Sequence, residues 1–246
     1  MKIAVIGTGL IGSQVVRRLT DAGHEAAGHS LSSGVDLLTA EGLDDALRGA
    51  DVVVNLTNSP TFDAASLDFF RTSVTNLLAA ARTAGVRHVV TLSIVGTDLV
   101  PELDYYRAKL LQEDLVKAGP IPYSIVRATQ FMEFVAPTLG WTTEGDVVRL
   151  PSTPIQPISS ADVAQAVADV AAGAPLQGTR NVAGPEVFAL DELGRITVEA
   201  AGDGRRVVTD ETAGLFAAVK GDVITAPEGA FLAGTRYRDW LAAQSS

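Results

Sequence analysis

The sequence predicts a doubly wound α/β fold, a parallel sheet with helices on both faces, together with a small carboxyl-terminal lobe. Three observations predict it. Short apolar runs alternate with amphipathic segments through the first half of the chain, the loops between them are short, and several runs are apolar at every position. Strands of that last kind are buried on both faces, which is typical of parallel sheets.

The first half of the chain contains five predicted strands and the helices that connect them. The strands are predicted at residues 3–6, 24–29, 51–56, 87–93 and 123–127. The helices are predicted at residues 10–22, 39–50, 64–84 and 103–118. Gly23, Gly85 and Gly119 follow three of these helices, as expected where a helix ends.

After Ala128 the pattern becomes less regular. Strands are predicted at 147–150 and 180–183, helices at 160–172 and 191–201, and a turn at 202–205, whereas residues 212–234 show little periodicity. We therefore expect a first part, residues 1–155, that contains most of the sheet. A second part, residues 156–246, completes the sheet and helps to form a small lobe, and the two make one compact unit. The lobe is predicted from residues 129–155 and 180–235, over the carboxyl ends of the strands, where open α/β sheets bind ligands.

Composition limits the classes of function. With 29 acidic against 19 basic residues the net charge is -10, which disfavours nucleic acid and anionic lipid as partners. There is no cysteine, so that disulfides, thiol chemistry and zinc-thiolate sites are excluded. The three histidines, at 24, 29 and 88, are too scattered to predict a metal site, and we expect His88 to lie on the surface.

The amino terminus begins like a secretory signal, but glycines interrupt its apolar run and charged residues follow. No stretch of about 20 uninterrupted apolar residues occurs, so no membrane span is predicted. We expect a cytoplasmic protein, a monomer or a homodimer, that acts on a small molecule.

A glycine motif directly follows the first strand and opens the first helix. It consists of Gly7, Thr8, Gly9, Leu10, Ile11 and Gly12. The first glycine permits a tight turn, the second lets the backbone approach a pyrophosphate, and the third allows close packing of helix and strand. Because a helix amino end presents free N–H groups to phosphates, the motif predicts dinucleotide binding.

The end of the second strand bears on which dinucleotide is bound. An acidic residue there favours NAD, whereas hydroxyl groups or arginine accommodate the 2′-phosphate of NADP. The sequence has no acid at the expected point, and Ser30, Ser32 and Ser33 either bind that phosphate or form a polar loop. The missing acid and the serines together mildly favour NADP over NAD. Asp36 and Leu37 are further candidate contacts, near the adenine.

Tyr105 and Lys109 are four residues apart and so share one face of a predicted helix. Lys109 could bind the nicotinamide ribose, and its charge could lower the pKa of Tyr105, so that the phenol gives a proton to a carbonyl that receives hydride. Ser93, at the end of the fourth strand, could bond the same carbonyl oxygen or cap its own loop.

These motifs resemble the atypical short-chain dehydrogenase/reductase superfamily, in its NmrA-like, NAD(P)H-binding branch. The segments that carry the resemblance are residues 7–12, 55–58, 93–96, 105–109 with Glu113, 125–131 and 159–164. Ala128 stands where the branch often has proline. The resemblance implies a Rossmann fold and covers nearly the whole chain.

The resemblance also implies roles for particular residues. Thr57 and Asn58 border the cofactor, Lys109 contacts its ribose, and Phe131 lies near the nicotinamide. Members of the branch differ in whether the tyrosine is used, and Tyr106 competes with Tyr105. Residues 131–141 follow the fifth strand and either line an apolar pocket or belong to the core.

The sequence therefore predicts an NAD(P)H-dependent oxidoreductase that transfers hydride to a carbonyl or quinone-like, aromatic small molecule. Two alternatives remain open, both by resemblance. One is a non-catalytic NmrA-like sensor that binds the dinucleotide and reports its redox state to a protein partner. The other is a reductase or monooxygenase component in the tailoring of aromatic polyketides.

Overall fold

The computed structural model describes residues 1–244, which divide into two compact units. The first unit contains residues 1–127 and 163–180. The second contains residues 128–162 and the chain from 181 onward. Each unit is thus made of two separate stretches of the sequence.

The first unit contains most of the long elements. Its strands are β1 (Lys2–Ile6), β2 (Glu25–His29), β3 (Val52–Asn55), β4 (His88–Ile94) and β5 (Tyr123–Ala128), the last of which ends at the unit boundary. Its helices are α1 (Gly12–Asp21), α2 (Leu43–Ala46), α3 (Ala65–Ala84) and α4 (Asp104–Ala118). These elements confirm the predicted alternation of strand and helix.

The remainder of the chain has shorter elements. Its helices are α5 (Val135–Trp141), α6 (Ser160–Ala172), α7 (Leu190–Ala200) and α8 (Tyr237–Gln244). Its strands are β6 (Thr143–Glu144), β7 (Val147–Leu150), β8 (Pro154–Ile155), β9 (Gly178–Ala183), β10 (Phe188–Ala189), β11 (Arg206–Thr209) and β12 (Phe231–Leu232).

Within residues 1–244, seven strands form one parallel sheet in the order β12-β9-β5-β4-β3-β1-β2. The strand order reverses between β1 and β3, since β2 lies on one side of β1 and β3 on the other. Such a reversal is where doubly wound sheets open a crevice at their carboxyl edge. The predicted fold class is confirmed.

The core of the first unit explains why its strands are apolar at every position. In β1 the side chains from Ile3 to Ile6 are all buried, so both faces of the strand are covered. One face packs with Val74, Leu77 and Ala81 of α3 and with Val116 of α4. Continuous apolar strands are therefore a reliable sign of this arrangement.

The helix predicted over residues 39–50 is shorter than expected and covers Leu43–Ala46. Ala40 has φ 65° and Gly42 has φ 72°, in the left-handed region that a right-handed helix excludes. The chain therefore turns before this helix begins.

The second unit has its own apolar core and two small sheets, in the orders β11-β7-β6 and β10-β8. Met132, Leu139, Leu150 and Leu193 are fully or almost fully buried in that core. Sequence reasoning missed α5, which contains Pro137 and Gly140, and it missed α8 and the two-residue strands. Such short elements carry too little periodicity to be recognised.

Of the helices in the described residues, none is both long and apolar enough to span a bilayer. The expectation that His88 lies on the surface is wrong, since its side chain is 3% exposed. The Leu176 N–H donates to Ser124 Oγ, and Ser124 Oγ is hydrogen-bonded to His88 Nε2 at 2.8 Å. Burial lowers the pKa of His88 to about 4, so this histidine is neutral at neutral pH.

Candidate functional site

The turn formed by Gly7–Gly12, called the glycine turn below, depends on two of its glycines for its shape. Gly7 has φ +99°, and its N–H donates to the carbonyl oxygen of His29 at 2.8 Å. A Cβ at Gly12 would lie 1.8 Å from the carbonyl oxygen of Gly7, and one at Gly7 would lie 2.8 Å from the Leu56 backbone. The protein itself therefore requires glycine at both positions.

Gly9 differs, because a Cβ there would meet no atom of residues 1–244 within 4 Å. The packing of the protein thus does not explain the glycine, whereas close approach of a ligand to the backbone would. In the described structure, α1 has no acidic residue in its first turn, and Ile11 at its amino end makes no side-chain capping bond. The glycine turn therefore fits a diphosphate held by main-chain N–H groups.

The loop after β2 holds the serines that were predicted to select the cofactor. Ser33 is used locally, because its hydroxyl accepts from the Ser30 N–H at 2.8 Å and donates to the Ser30 carbonyl oxygen at 2.9 Å. Ser30 Oγ and Ser32 Oγ lie 2.9 Å apart on the exposed side. Of the three, Ser30 and Ser32 thus present adjacent hydroxyl groups to solvent.

The other predicted adenine contacts lie a few residues further on. The Asp36 carboxylate accepts from the Leu38 N–H at 2.7 Å, which fixes a tight turn. The Leu37 side chain is buried in the core of the first unit. A contact from Leu37 to a nucleotide would therefore have to use its backbone.

The end of β3 brings a polar group to the carboxyl edge of the sheet. Asn55 is buried, and its Oδ1 accepts from the backbone N–H of Thr57 at 3.2 Å and from its hydroxyl at 2.7 Å. Asn55 Nδ2 has no hydrogen-bond partner within residues 1–244. These two bonds from Thr57 to Asn55 fix the course of the chain toward the exposed Asn58.

Tyr105, in the first turn of α4, is held by a hydrogen bond and by aromatic contacts. Its hydroxyl donates to Asn58 Oδ1. Its ring packs edge-on against Phe62, with ring centres 4.9 Å apart, and lies 6.3 Å from the ring of Phe70. Burial raises the pKa of Tyr105 well above its usual value, and the bond to Asn58 offsets only part of this rise. The predicted lowering of this pKa by Lys109 is therefore wrong.

Lys109 is buried one helical turn further along α4. Its ammonium group donates to the carbonyl oxygen of Leu92 at 2.7 Å and to Gln112 Oε1, and it lies 4.9 Å from the centre of the Phe70 ring. Burial lowers the pKa of Lys109 to about 7, against the opposing attraction of Glu113. An ammonium group has three donors, so two are used inside the protein and one remains.

Ser93 lies on the face of β4 that α4 covers. It shares this face with Val89, which packs with Val116 of α4. The buried Ser93 hydroxyl lies beside Glu113 but makes no hydrogen bond of normal geometry within the described residues. The structure therefore brings Ser93 together with Glu113, whereas Tyr105 is paired with Asn58.

Glu113 and Arg127 form an ion pair with two hydrogen bonds. Arg127 Nε donates to Glu113 Oε1 at 2.7 Å, and Arg127 Nη2 donates to Glu113 Oε2 at 2.8 Å. Lys117 also donates to Oε2 at 3.0 Å. Burial would raise the pKa of Glu113, but Arg127, the Ser93 hydroxyl and Lys117 together hold it below its usual value. Glu113 is therefore a carboxylate although its side chain is fully buried.

Sequence reasoning did not single out several residues that contact the predicted site. They are Phe62, Phe70, Leu92, Asp98 and Gln112. Gln112 had a weak signal, because it lies three residues after Lys109 on the same helix. Phe62 and Phe70 are far from Tyr105 in sequence, and no pattern in a single sequence reveals such contacts.

Phe131 belongs to the second unit, where its ring stacks on that of Phe134 with centres 5.8 Å apart. Phe134 is 48% exposed and Trp141 is 63% exposed, whereas Met132 is buried. The segment predicted either to line a pocket or to belong to the core thus has both exposed and buried apolar side chains.

The sheet, the reversal of its strand order and the glycine turn are typical of a dinucleotide-binding α/β protein. A family model described as NAD(P)H-binding matches residues 31–173, more than half of the chain. The chain belongs to this NAD(P)H-binding family. Because the match begins after the glycine turn, the turn is a separate observation that agrees with it.

The chain is similar in sequence to two named proteins. The chain is 30% identical over 207 residues to a (4-alkanoyl-5-oxo-2,5-dihydrofuran-3-yl)methyl phosphate reductase of Streptomyces griseus, an alignment that covers 75% of this chain and 68% of that protein. It is 24% identical over 234 residues to the photosystem II assembly factor Ycf39 of Synechocystis, which covers 84% of this chain and 70% of that one.

Solved structures show the same fold at low sequence identity. One is an NADPH-dependent quinone oxidoreductase of Escherichia coli in complex with NADPH, with a TM-score of 0.73, 17% identity and coverage of 99% and 100% of the two chains. Another is the dTDP-4-dehydrorhamnose reductase of Bacillus anthracis in complex with NADP, with a TM-score of 0.76, 14% identity and coverage of 100% and 99%. Membership of the NAD(P)H-binding family agrees with the predicted resemblance, the solved structures show the same fold, and the chain is reductase-like.

Proposed function

We propose that this chain is an NAD(P)H-dependent reductase that transfers hydride to the carbonyl or quinone group of an aromatic small molecule, with NADPH as the preferred donor. The observation that carries the proposal is the position of Tyr105 and Lys109. They lie one turn apart on the buried face of α4, in the unit that also holds the glycine turn. A phenol and an ammonium group at such a place suit proton transfer next to a nicotinamide ribose.

Several groups would hold the dinucleotide. The main-chain N–H groups of the glycine turn would bind the diphosphate, and the Ser30 and Ser32 hydroxyls would bind a 2′-phosphate. Thr57 would border the cofactor at the end of β3, as would Asn58. The third donor of Lys109, which Leu92 and Gln112 leave free, would bond the nicotinamide ribose. Bound NADPH supplies the hydride, and the protein supplies orientation and the proton.

Tyr105 would hold that proton at its hydroxyl oxygen. Its raised pKa means that the phenol remains protonated until negative charge develops on the carbonyl oxygen of a substrate. Asn58 would fix the direction of the hydroxyl until it turns to the substrate. We propose that Ser93 supports the site from beneath α4, since its hydroxyl lies beside Glu113.

The proposed substrate class has two kinds of support. One solved structure with the same fold is a quinone oxidoreductase by name, and the named Streptomyces relative reduces an unsaturated lactone, a furanone, that carries a phosphate ester. In this chain, the exposed Phe134 and Trp141 offer flat apolar surfaces that suit an aromatic molecule.

The test is to titrate the purified protein with NADPH and NADH, and then to follow loss of the reduced nicotinamide absorbance with quinones, aromatic ketones and unsaturated lactones. Tyr105→Phe should lower the turnover number about 100-fold, the lower end of what a general acid contributes, and should leave NADPH affinity within about twofold. Tyr106→Phe tests the competing tyrosine and should lower turnover far less than Tyr105→Phe does. Equal activity in both variants would show that Tyr105 donates no proton, and oxygen consumption with NADPH loss would indicate the monooxygenase-type alternative.

A second candidate function is a non-catalytic redox sensor. Two observations favour it: the Synechocystis relative is an assembly factor by name, and the reactive groups of Tyr105 and Lys109 both have partners inside the protein. A sensor would bind NADPH tightly but would consume none across the whole substrate panel. Such a result would contradict the reductase proposal and favour the sensor.

A further inference from the structure

Glu113 lies on the same stripe of α4 as the two proposed reactive side chains. Tyr105, Lys109 and Glu113 follow one another at intervals of four residues, so they lie one above the other on the helix. Glu113 does not contact the Tyr105 hydroxyl, whose partner is Asn58. Any effect of Glu113 on the site must therefore pass through Lys109 or through the position of the helix.

Arg127 connects this stripe to two other segments. It lies near the carboxyl end of β5, and it binds both oxygens of Glu113. Its remaining terminal nitrogen, Nη1, donates to Asp98 Oδ1 at 2.9 Å, in the loop between β4 and α4. The guanidinium group thus joins the helix, the strand and the loop that leads from Ser93 to Tyr105. Planar pairs of this kind fix geometry as well as charge.

A buried ion pair is weak evidence for a contribution to stability, because removing both charges from water costs about as much as their attraction returns. Glu113 is fully buried, and Arg127 is mostly buried. A pair of apolar side chains would fill the same space at no such cost. A role in the geometry and charge of the neighbouring site explains its presence better.

The charged groups around Lys109 can be named element by element. On α4, the carboxylate of Glu113 attracts the Lys109 ammonium, and Tyr105 is neutral. On the other elements, the Leu92 carbonyl of β4 and the Phe70 ring of α3 contact the ammonium and are uncharged, and Arg127 of β5 is the cation paired with Glu113. Glu113 thus supplies the negative charge that opposes the effect of burial on Lys109.

We propose that Glu113, held by Arg127, is a positioning residue of the reductase site: it fixes the stripe of α4 that carries Tyr105 and Lys109, and its charge maintains the Lys109 ammonium. This inference rests on the proposed function, since it assigns Lys109 a task in holding NADPH. Its electrostatic part concerns this chain's own residues and can be measured without any cofactor.

The experiment compares Glu113→Gln with Asp114→Asn, the matched control, which removes the same charge from the adjacent and exposed position. The chain has four lysines, so the ¹³Cε signal of Lys109 can be assigned with the help of Lys109→Met. Each protein is titrated by NMR without cofactor, and its dissociation constant for NADPH is measured between pH 6 and pH 9.

We expect Lys109 to titrate near pH 7 in the wild-type protein and in Asp114→Asn. In Glu113→Gln the midpoint should move to lower pH, and NADPH should bind about twofold more weakly at pH 7, where only about half of the wild-type ammonium is present to be lost. A purely structural role would leave the Lys109 midpoint unchanged. Equal midpoints and equal affinities in the two variants would therefore overturn the inference.

Glu113→Gln leaves Arg127 buried without its partner, which can prevent folding. The double variant Glu113→Gln/Arg127→Gln removes both charges and should move the Lys109 midpoint in the same direction but by less, because the opposing positive charge of Arg127 is removed as well. Failure of the proposed function has a different signature. A wild-type protein that does not bind NADPH overturns that function and the site role of Glu113 together, whereas normal binding with an unmoved Lys109 midpoint overturns the role of Glu113 and leaves the proposed function standing.

Discussion

The glycine turn and the buried stripe of α4 differ in the groups that would contact the nucleotide. In the glycine turn those groups are main-chain N–H donors, and side chains matter there mainly by their absence, as at Gly9. On α4 they are the side chains of Tyr105 and Lys109, both buried and both with a shifted pKa. Nucleotide contacts at the glycine turn should therefore depend on the space that the missing side chains leave, whereas those on α4 should depend on the burial and charge of the side chains.

This difference has consequences for each site. Main-chain amides do not titrate, so the proposed contacts of the glycine turn are independent of pH, but a single methyl group can block them. The Lys109 amine has a pKa of about 7, so its charge changes in the neutral range. Substitutions in the two regions should therefore impair NADPH binding in different ways.

The largest effect is expected for Gly12→Ala. Its Cβ would lie 1.8 Å from the carbonyl oxygen of Gly7, far inside van der Waals contact, so α1 or the turn must move. We expect a loss of about 3 kcal/mol or more in the free energy of unfolding, together with a loss of measurable NADPH binding. Urea denaturation and isothermal titration would measure both. Wild-type stability in this variant would show that the turn can move to accommodate the methyl group at no cost in stability.

Gly9→Ala should separate ligand volume from protein packing. Its Cβ meets no described atom within 4 Å, and Gly9 does not have a left-handed φ, so the free energy of unfolding should stay equal or rise by about 0.4–1 kcal/mol. NADPH affinity should fall about tenfold, which corresponds to about 1.4 kcal/mol, because the methyl group occupies space assigned to the diphosphate. Unchanged affinity would mean that the diphosphate does not approach Gly9.

The same contrast explains what could be predicted from the sequence. The glycine turn follows from local spacing, and so do the strands of the first unit, since an apolar run or a glycine motif lies within a few consecutive residues. Tyr105 and Lys109 were identified by their spacing on one helix. The partners of these side chains could not be identified, because Asn58, Phe70 and Leu92 come from other elements.

Two errors have one physical cause. His88 was expected at the surface, but its side chain is buried. Lys109 was expected to lower the pKa of Tyr105, but burial of Tyr105 itself raises that pKa. The degree to which a polar residue is buried depends on the packing of distant segments, which a single sequence does not reveal.

Lys109→Met should remove the pH dependence that distinguishes α4 from the glycine turn. In the wild-type protein, NADPH affinity should fall as the pH rises above about 7, because the ammonium loses its proton. The variant should bind roughly fivefold more weakly at pH 6, about 1 kcal/mol, and its affinity should not change with pH. Lys220→Met, at an exposed position of the second unit, is the control. A wild-type affinity that is constant between pH 6 and pH 9 would argue against a role for the Lys109 charge.

The free energy of unfolding should also depend on the protonation of Lys109, but it should increase with pH over the range in which NADPH affinity decreases. The folded protein lowers the pKa of Lys109 from 10.5 to about 7, so between these values the unfolded chain binds more protons. The contribution of Lys109 to stability therefore increases as the pH rises from about 7 to about 10.5, and Lys109→Met should lack this increase. Denaturation at pH 7 and pH 9.5 measures the difference between the two proteins.

The smallest effect is expected for His88. This residue tests whether burial also lowers the pKa of a base that lies away from the proposed site. It lies at the amino end of β4, whereas Ser93 lies near the carboxyl end. Its pKa falls from 6.5 to about 4 through burial, so the unfolded chain binds more protons between these values and stability is lost as the pH falls through them. By pH 4.5 the wild-type protein should lose about 1–2 kcal/mol that His88→Gln retains, since glutamine can also bond Ser124 and carries no proton. His24→Gln is the control, because His24 is not part of this buried cluster, and it should follow the wild-type curve. If His88→Gln follows that curve as well, burial of a base does not govern the acid sensitivity of this protein, and the burial argument for the lowered pKa of Lys109 loses its independent support.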